Sequence, residues 1–275
     1  MEKLEKKYKK QLEHLQRYKT AMGPGQVIIR PDEEDELLDD EKQKEYRSGV
    51  GMLLYLLKHS RPDLSNSVRE LTKVMDGATK GHLKAMQRVI KYVLDTKRWR
   101  LRMETGKTPR GAWKIEAYSD SDYAGDRDNR RSVSGYLIMV NGCVVSWRSR
   151  GQRSVTLSSS EAEYVAASET VTEMLYIKQI LEGMGETVSL PMKVRMDNVG
   201  AIYMVKNQAP GQRTKHVDIR FSYVKELVEN GSLEVEFVRS ESNLADVFTK
   251  NVKESLNDVL TNDYMDKRET CEDNE

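Results

Sequence analysis

The sequence predicts an α/β fold in which a mixed five-stranded sheet with flanking helices is preceded by a small helical region. Between residues 46 and 96, apolar residues recur at the three- and four-residue spacing of helices. From Trp113 onward they alternate with polar residues, as in half-buried strands. The predicted order after Trp113 is three strands, a helix, a strand, two helices, a strand and a short helix, which is typical of a sheet with helices on its faces.

Composition limits the class of protein. The 275 residues include 45 basic and 44 acidic side chains, so the formal net charge of +1 does not by itself indicate a nucleic-acid partner. Lys and Arg are instead concentrated in 80–110, 127–153 and 206–225. Two cysteines are too few for a disulfide framework or a zinc cluster, and no apolar run is long enough to span a membrane. We therefore expect an intracellular protein without a membrane partner.

Residues 1–45 are predicted to form a charged helix followed by an acidic linker. The helix is predicted over residues 2–20, and Gly23-Pro24-Gly25 ends it. Its apolar stripe consists of Leu4, Tyr8, Leu12 and Leu15. Such a stripe in a Lys- and Glu-rich background is typical of a solvated or coiled helix.

Residues 46–110 are predicted to contain a small helical bundle. Its helices are expected over Tyr46 to His59, from about Asp63 to Met75, and over His82 to Asp95. The third helix carries basic residues opposite its apolar face. That basic face fits either a solvated surface or a cradle for a nucleic-acid backbone, and both interpretations stay open.

The strand-rich region covers residues 111–252 and is followed by a predicted acidic tail, 253–275. Strands are predicted at Trp113–Ala117, Val133–Val140, Cys143–Trp147, Met192–Met196 and Leu233–Val238. Asn141-Gly142 predicts a tight hairpin between the second and third strands, whereas the run Ser119-Asp120-Ser121-Asp122 is expected to end the first. Helices are predicted at Ser158–Gly183, Asn198–Asn207, His216–Glu229 and Leu244–Lys250.

Acidic residues fall at the boundaries of these elements, namely Asp120, Glu163, Asp197 and Asp246. The helix after residue 157 contains two overlapping capping boxes, Ser158 with Glu161 and Ser160 with Glu163, so either glutamate could be a cap. Helical phase separates them, because Glu163 lies on the stripe that must pack against the sheet. A glutamate there is costly unless a cation or a partner meets it. We therefore expect Glu163 to be functional and Glu161 to be the cap.

Each aspartate also has a plainer explanation when it is taken alone. Asp197 could cap the helix that follows it, and Asp246 could be an ordinary surface acid. Together the acids would repel one another unless divalent cations neutralise them. Mg²⁺ prefers oxygen ligands, and two such ions about 4 Å apart can activate a water and stabilise the leaving oxygen of a phosphodiester. The residues alone therefore predict two-metal phosphodiester chemistry, and the lack of a His or Cys cluster argues against zinc.

Five motifs occur in this order along the chain: Tyr-Ser-Asp-Ser-Asp-Tyr-Ala-Gly, Ser-Ser-Ser-Glu-Ala-Glu-Tyr-Val-Ala, Met-Asp-Asn-Val-Gly-Ala-Ile, Thr-Lys-His-Val-Asp-Ile-Arg and Asn-Leu-Ala-Asp-Val-Phe-Thr-Lys. As a set, over about residues 113–252, they resemble the ribonuclease H domain of copia-type retrotransposon Pol polyproteins. The preceding Tyr-Arg-Ser-Gly-Val-Gly-Met-Leu-Leu-Tyr-Leu, Arg-Pro-Asp-Leu and His-Leu-Lys-Ala-Met-Gln-Arg resemble the end of that family's reverse transcriptase and its connection to ribonuclease H.

The resemblance implies a ribonuclease H-like fold for residues 111–252 and a remnant of the reverse-transcriptase thumb or connection for residues 46–110. It implies endonucleolytic hydrolysis of the RNA strand of RNA–DNA hybrids with two Mg²⁺ ions, for which Mn²⁺ may substitute. The catalytic and metal-binding acids would be Asp120, Glu163, Asp197 and Asp246, with Asp122 as a rival for the first position. Contacts to the nucleic acid would come from Ser158, Ser159, Ser160, Asn198, Arg148, Arg153, Lys215 and His216.

The chain departs from the family in two respects. Many ribonucleases H carry a mobile histidine in a loop before the last aspartate, but the short segment from Val238 to Asp246 has none. His216 is expected to have a structural or phosphate-contacting role rather than a catalytic one. No polymerase active site is present, so we expect a C-terminal fragment or a degenerate copy that does not polymerise DNA on its own.

Alternatives to the hydrolase remain open at this stage. A catalytically silent ribonuclease H-like module would bind nucleic acid without cutting it, and an interaction protein would use the helical N-terminus and the acidic tail. For the hydrolase, the expected partners are an RNA–DNA hybrid and the upstream reverse transcriptase region of the same polyprotein. The expected locations are the cytoplasm, in virus-like particles, and the nucleus.

Overall fold

The computed structural model describes residues 1–103, 111–207 and 223–267. Its helices are α1 (Glu2–Tyr8), α2 (Asp40–His59), α3 (Ser65–Thr72), α4 (Lys80–Asp95), α5 (Ser159–Gly183), α6 (Val199–Asn207), α7 (223–229), α8 (Asp246–Thr249) and α9 (Glu254–Asn262). Its strands are β1 (Arg100–Leu101), β2 (Ile115–Asp122), β3 (Val133–Val140), β4 (Cys143–Gly151), β5 (Met192–Met196), β6 (Leu233–Phe237) and β7 (Met265–Asp266). Within these described ranges, no helix is both long enough and apolar enough to cross a membrane.

The chain divides into two compact units. Residues Met1–Arg102 and Lys250–Glu275 form one, called here the helical unit, and Met103–Thr249 form the other, the sheet unit. The division into residues 1–45, 46–110, 111–252 and 253–275 that the sequence predicts stays a prediction. In the fold itself, the residues that follow Thr249 group with the N-terminal helices.

The first helix differs from its prediction in length and in environment. It ends at Tyr8 rather than near residue 20, and residues 9–14 form turns. Leu4, Tyr8 and Leu12 are nevertheless almost fully buried in the core of the helical unit. The prediction of a solvated or coiled helix is therefore wrong, because the apolar stripe meets a core that the local sequence does not reveal.

Part of the predicted acidic linker is the start of α2. The helix begins at Asp40, six residues before the predicted start, and the Asp39 carboxylate accepts a hydrogen bond from the Lys42 backbone N–H at 2.8 Å. Asp40 and Glu41 lie in the first turn. Carboxylates at this end complement the helix dipole and the unpaired N–H groups, so the acidic composition marks a helix start rather than a linker.

The basic face of α4 is largely engaged within the helical unit. The Arg88 guanidinium carbon lies over the Tyr18 ring, 4.4 Å from the ring centroid, and Arg88 Nε donates to the Ala21 carbonyl at 3.3 Å. Lys91 pairs with Asp95 at 2.7 Å. These contacts favour a structural role for the face over the nucleic-acid cradle.

The predicted acidic tail contains a helix and a strand in its described part. In α9 and just beyond it, Leu260, Tyr264 and Met265 are almost fully buried, and β7 pairs antiparallel with β1 through Arg100 and Asp266. The prediction of a tail is wrong for these residues, because the acidic composition of the segment obscured its apolar positions.

The sheet unit contains the mixed five-stranded sheet that the sequence predicts. The strand order is β4-β3-β2-β5-β6, with β2, β3 and β4 antiparallel and β5 parallel to both β2 and β6. Helices α5 and α6 pack against it. This arrangement confirms the predicted α/β fold class, a mixed five-stranded sheet with flanking helices.

Strand β2 continues past the point at which the sequence predicts its end. It extends through Asp122, and each residue of the run from Ser119 has a partner on β3, with Asp120 opposite Gly135. Ladder hydrogen bonds and burial override the low strand propensity of Ser and Asp. Asp120 therefore lies inside a strand and not at its end.

Candidate metal centre

Three of the four predicted acids converge at one end of the sheet. One carboxylate oxygen from each of Asp120, Glu163 and Asp197 lies within 4.8 Å of the others. Asp120 comes from the central strand β2, Glu163 from the first turns of α5, and Asp197 directly follows β5. Asp120 is 2% exposed and Glu163 is 5% exposed. We refer to these three residues as the acidic triad.

Asp120, and not its rival Asp122, belongs to the triad. Asp122 lies two residues further along β2, is partly exposed and is absent from the clustered group. The Thr249 hydroxyl donates a hydrogen bond to Asp120 Oδ2. Thr249 is itself 1% exposed, so the Asp120 carboxylate is held by a buried neighbour.

The two carboxylate oxygens of Glu163 have different environments. The Ser121 backbone N–H and hydroxyl donate to Oε1 at 3.0 and 3.1 Å. Oε2 is buried and has no hydrogen-bond partner among the residues that the structure describes. Burial, followed by the neighbouring charges of Asp120 and Asp197, raises the pKa of Glu163 to about 9. A carboxyl in this environment resists ionisation unless a cation offsets its charge.

Glu161 has the capping role that helical phase assigns to it. Its backbone N–H donates to the Ser158 hydroxyl at 3.2 Å, and its Oε2 accepts from the Leu157 backbone N–H at 2.8 Å. Both bonds satisfy N–H groups at the start of α5. The two neighbouring glutamates therefore have different environments, one at the helix start and one at the triad.

Asn198, the residue after Asp197, caps the helix α6. Asn198 Oδ1 accepts from the Ala201 backbone N–H at 2.9 Å, which is a capping contact at the start of α6. The Ser160 hydroxyl donates to the same oxygen at 3.2 Å. Asp197 instead accepts a hydrogen bond from the Ser240 hydroxyl at 2.5 Å. The plainer explanation of Asp197 as a helix cap therefore does not apply.

Asp246 lies outside the clustered group, although it is 3% exposed and its helix is adjacent. It begins α8, whose last residue, Thr249, donates to Asp120. Its assignment as a fourth metal-binding acid stays a prediction.

The predicted contacts to nucleic acid are only partly described. Ser158 and Ser159 are exposed at the start of α5, and Arg148 and Arg153 are exposed on and just after β4. Lys215 and His216 lie outside the described residues.

Sequence reasoning missed the side chains that hold the acids. Ser121, Ser240 and Thr249 donate to Glu163, Asp197 and Asp120 respectively. Ser121 lies beside Asp120 in the sequence but contacts Glu163, and Thr249 is separated from Asp120 by 129 positions. No local signal identifies these donors, because each one is distant in the sequence from the acid that it contacts.

The donor set fits a hard divalent cation. All of its candidate ligand atoms are carboxylate oxygens, and one of them, Glu163 Oε2, is buried without a hydrogen-bond partner in the described part of the chain. Mg²⁺ and Mn²⁺ prefer such ligands, whereas zinc sites are richer in His and Cys.

Comparisons with known proteins identify relatives of the chain. It is 36% identical over 206 residues to the retrovirus-related Pol polyprotein from transposon RE1 of Arabidopsis thaliana, covering 75% of this chain and 14% of that protein. It is 37% identical over 208 residues to the corresponding protein from transposon TNT 1-94 of Nicotiana tabacum, covering 74% and 15%. It is also 42% identical over 136 residues to secreted RxLR effector protein 161 of Plasmopara viticola, covering 50% of this chain and 93% of that protein.

Among solved structures, LC11-RNase H1 in complex with an RNA/DNA hybrid aligns with 52% of this chain and 99% of its own, with a TM-score of 0.36 and 18% identity. No protein-family model matches the chain. The chain spans 14–15% of the length of the two Pol polyproteins. Over about three quarters of its length, the chain is therefore similar to retrovirus-related Pol polyproteins of transposons.

Proposed function

We propose that this chain hydrolyses the RNA strand of RNA–DNA hybrids, as the ribonuclease H part of a copia-type Pol polyprotein. The observation that carries the proposal is the convergence of Asp120, Glu163 and Asp197 within 4.8 Å on a ribonuclease H-like sheet. Similarity to retrovirus-related Pol polyproteins supports the substrate class. The acids alone support phosphodiester chemistry of a more general kind.

The acidic triad would hold divalent cations, with Asp246 contributing from α8. We propose two Mg²⁺ ions, for which Mn²⁺ substitutes. When bound, such ions lower the pKa of water and stabilise charge on the leaving oxygen of a phosphodiester. The protein's part is to hold the carboxylates in place. Ser121 engages Glu163 Oε1 and leaves Oε2 available, while Thr249 and Ser240 engage one oxygen each of Asp120 and Asp197.

Residues around the triad would bind the hybrid. Ser158, Ser159 and Ser160 lie at the start of α5, and Asn198 contacts Ser160 from the start of α6. Hydroxyl and amide groups here can contact the minor groove, where the 2′-hydroxyl distinguishes RNA from DNA. Basic side chains supply sequence-independent attraction to phosphates, and those we assign are the exposed Arg148 and Arg153 together with Lys215 and His216, which lie outside the described residues.

The experiment that tests this function compares the wild-type chain with Asp197→Asn on a labelled RNA–DNA hybrid in Mg²⁺. Asparagine keeps the shape of the side chain but removes its charge, so we expect cleavage to fall by at least about 100-fold. Glu161→Gln is the matched control, because Glu161 is an acid near the triad that serves as a helix cap. It should cleave at close to the wild-type rate, and chelation of Mg²⁺ should abolish cleavage by every variant.

A different result would contradict the proposal. If the wild-type chain and Asp197→Asn both bound the hybrid tightly, in a salt-sensitive manner, and neither cut it, the chain would be a catalytically silent binding module. If activity were indifferent to the triad, the chain would act through other surfaces.

We also propose that the upstream reverse transcriptase region of the polyprotein is a partner in binding. Because the chain spans only 14–15% of the length of its Pol relatives, much of their contact with a hybrid would lie elsewhere. Restoring that region in the same polypeptide should lower the hybrid concentration for half-maximal cleavage without changing which strand is cut. The proposed locations are cytoplasmic virus-like particles and the nucleus.

A further inference from the structure

Each acid of the triad accepts a hydrogen bond from a hydroxyl side chain, and two of the three donors lie on one short segment. Ser240, which contacts Asp197, and Thr249, which contacts Asp120, lie on either side of Asp246 in the chain. The segment 240–249 therefore contacts one acid on β2 and another that directly follows β5. The same segment carries Asp246, the fourth predicted acid.

A glycine allows this segment to approach the sheet closely. Gly135 is paired with Asp120 across the β2–β3 ladder. A Cβ atom at Gly135 would lie 2.7 Å from Thr249 Cγ2 and 2.8 Å from Phe248 Cβ, closer than real contacts allow. Because Gly135 has no side chain, α8 can pack closely on β3 beside Asp120 of the neighbouring strand β2.

Asn243 anchors the part of the segment that precedes Asp246 to strand β2. It is fully buried, its Nδ2 donates to the Ser119 carbonyl at 3.0 Å, and its Oδ1 accepts from the Ala245 backbone N–H at 3.1 Å. Ser119 immediately precedes Asp120 on β2. The backbone just before Asp246 is therefore tied to the backbone just before Asp120.

The Thr249 hydroxyl has one proton and two acceptors within reach. These are Asp120 Oδ2 and, at 3.1 Å, the backbone carbonyl of Asp246. The carboxylate is the stronger acceptor, because hydrogen bonds to ionised groups are shorter and stronger than those between neutral groups. The bond restrains the Asp120 side chain and links it to the single helical turn that carries Asp246.

We propose that Thr249 is a positioning residue for the metal centre: its hydroxyl orients Asp120 for binding a divalent cation and keeps the Asp246 turn beside the triad. The inference rests on the proposed function for the identity of the ligand, a divalent cation. It assigns the threonine no contact with substrate. A purely structural threonine would instead contribute to folding and leave cation affinity unchanged.

The test measures Mn²⁺ binding to the full chain, by the loss of the free-ion electron paramagnetic resonance signal, without any nucleic acid. Thr249→Val keeps the side-chain shape but lacks the donor, and we expect it to weaken Mn²⁺ affinity by about tenfold or more. Thr249→Ser restores a hydroxyl and should stay within about threefold of the wild type. Thr170→Val is the matched control, because Thr170 is equally buried and its hydroxyl donates to the Ala166 carbonyl, at 2.8 Å, within α5.

The outcomes separate this inference from the proposed function. Wild-type affinity in Thr249→Val, or an equal loss in Thr170→Val, would overturn the positioning role and leave the proposed function intact. A wild-type chain that binds no Mn²⁺ would overturn both. Circular dichroism establishes that each variant is folded, and Thr249→Cys, whose thiol is a weak donor, replaces the valine variant if that one does not fold.

Hydrolysis supplies a second readout that a structural role would not produce. Thr249→Val should raise the Mg²⁺ concentration for half-maximal cleavage by about tenfold, with a near-normal rate at saturating Mg²⁺. A reduced rate at saturating Mg²⁺ with an unchanged half-maximal concentration would show that the hydroxyl does not act through the cation, and would overturn the inference.

Discussion

Glu163 shows why the triad calls for a cation. It is a carboxylate with 5% exposure, close to two other acids, and the hydrogen bonds to it come from the backbone N–H and hydroxyl of Ser121. Two donors on one oxygen do not offset the cost of removing an ionised group from water. Burial therefore dominates the raised pKa of this carboxyl, with the charges of Asp120 and Asp197 adding to it. A divalent ion would supply the missing positive charge.

His82 makes the stability of the helical unit depend on pH. In the capping box of α4, the Thr79 backbone N–H donates to His82 Nδ1 at 3.1 Å, which requires that nitrogen to be unprotonated. Burial lowers the pKa of His82. The unfolded chain therefore takes up a proton at higher pH than the folded chain, so the free energy of unfolding should fall as the pH falls through about 6.5.

The prediction is tested by urea unfolding between pH 7.5 and pH 5.5. His82→Gln keeps an acceptor suited to a capping box and removes the titrating ring, so its free energy of unfolding should fall less than that of the wild type over this range. His59→Gln, at the exposed end of α2, is the control and should follow the wild type. Equal decreases in the wild type and His82→Gln would refute the role of this histidine.

Helix α8 is short, yet it carries Asp246 and contacts Asp120 of the triad through Thr249. Its four residues cannot form a stable helix on their own. It is held by tertiary contacts, namely the buried Phe248 against Gly135 and the hydrogen bonds of Thr249 and Asn243. The position of Asp246 is therefore set by packing on β3 and β2, rather than by helix propensity.

Helix α9 is predicted to contribute to the stability of the helical unit. Leu260 is completely buried, whereas the adjacent Val259 is 60% exposed. Leu260→Ala should lower the free energy of unfolding by about 2–5 kcal/mol, because it removes buried methyl groups and leaves a cavity. Val259→Ala is the matched control and should change it by less than about 0.5 kcal/mol.

Denaturant unfolding of both variants measures the difference. Small and equal effects of the two substitutions would mean that the segment after residue 253 behaves as the solvated tail that its acidic composition indicates.

Across the whole molecule, the sequence predicts the sheet better than it predicts the helical unit. Strands β3 and β5 have the predicted bounds, and helical phase correctly distinguishes Glu163 from Glu161, because both signals are local. The burial of Leu4 and Tyr8 and the folding of α9 depend on partners far away in the chain, so composition misled the prediction there.

The same distinction applies to the site. The three acids of the triad could be predicted from local patterns and from charge that needs neutralising, although β2 continues past Asp120 rather than ending there. The hydroxyls that hold them could not be predicted, because Thr249 and Asp120 become neighbours only when α8 packs on Gly135. Asp197 was ambiguous for a local reason, since a residue just before a helix is expected to cap it, and only the structure assigns that contact to Asn198.

Strand-specific cleavage distinguishes a ribonuclease that acts on RNA–DNA hybrids from a general nuclease and from a binding module. The full chain is incubated in Mg²⁺ with an RNA–DNA hybrid labelled on the RNA strand or on the DNA strand, and with the corresponding duplex DNA. We predict that the RNA strand of the hybrid is cut, while its DNA strand and the duplex DNA stay intact. Cleavage of the DNA strand at a comparable rate, or an intact RNA strand in a hybrid that the chain binds tightly, would contradict this prediction.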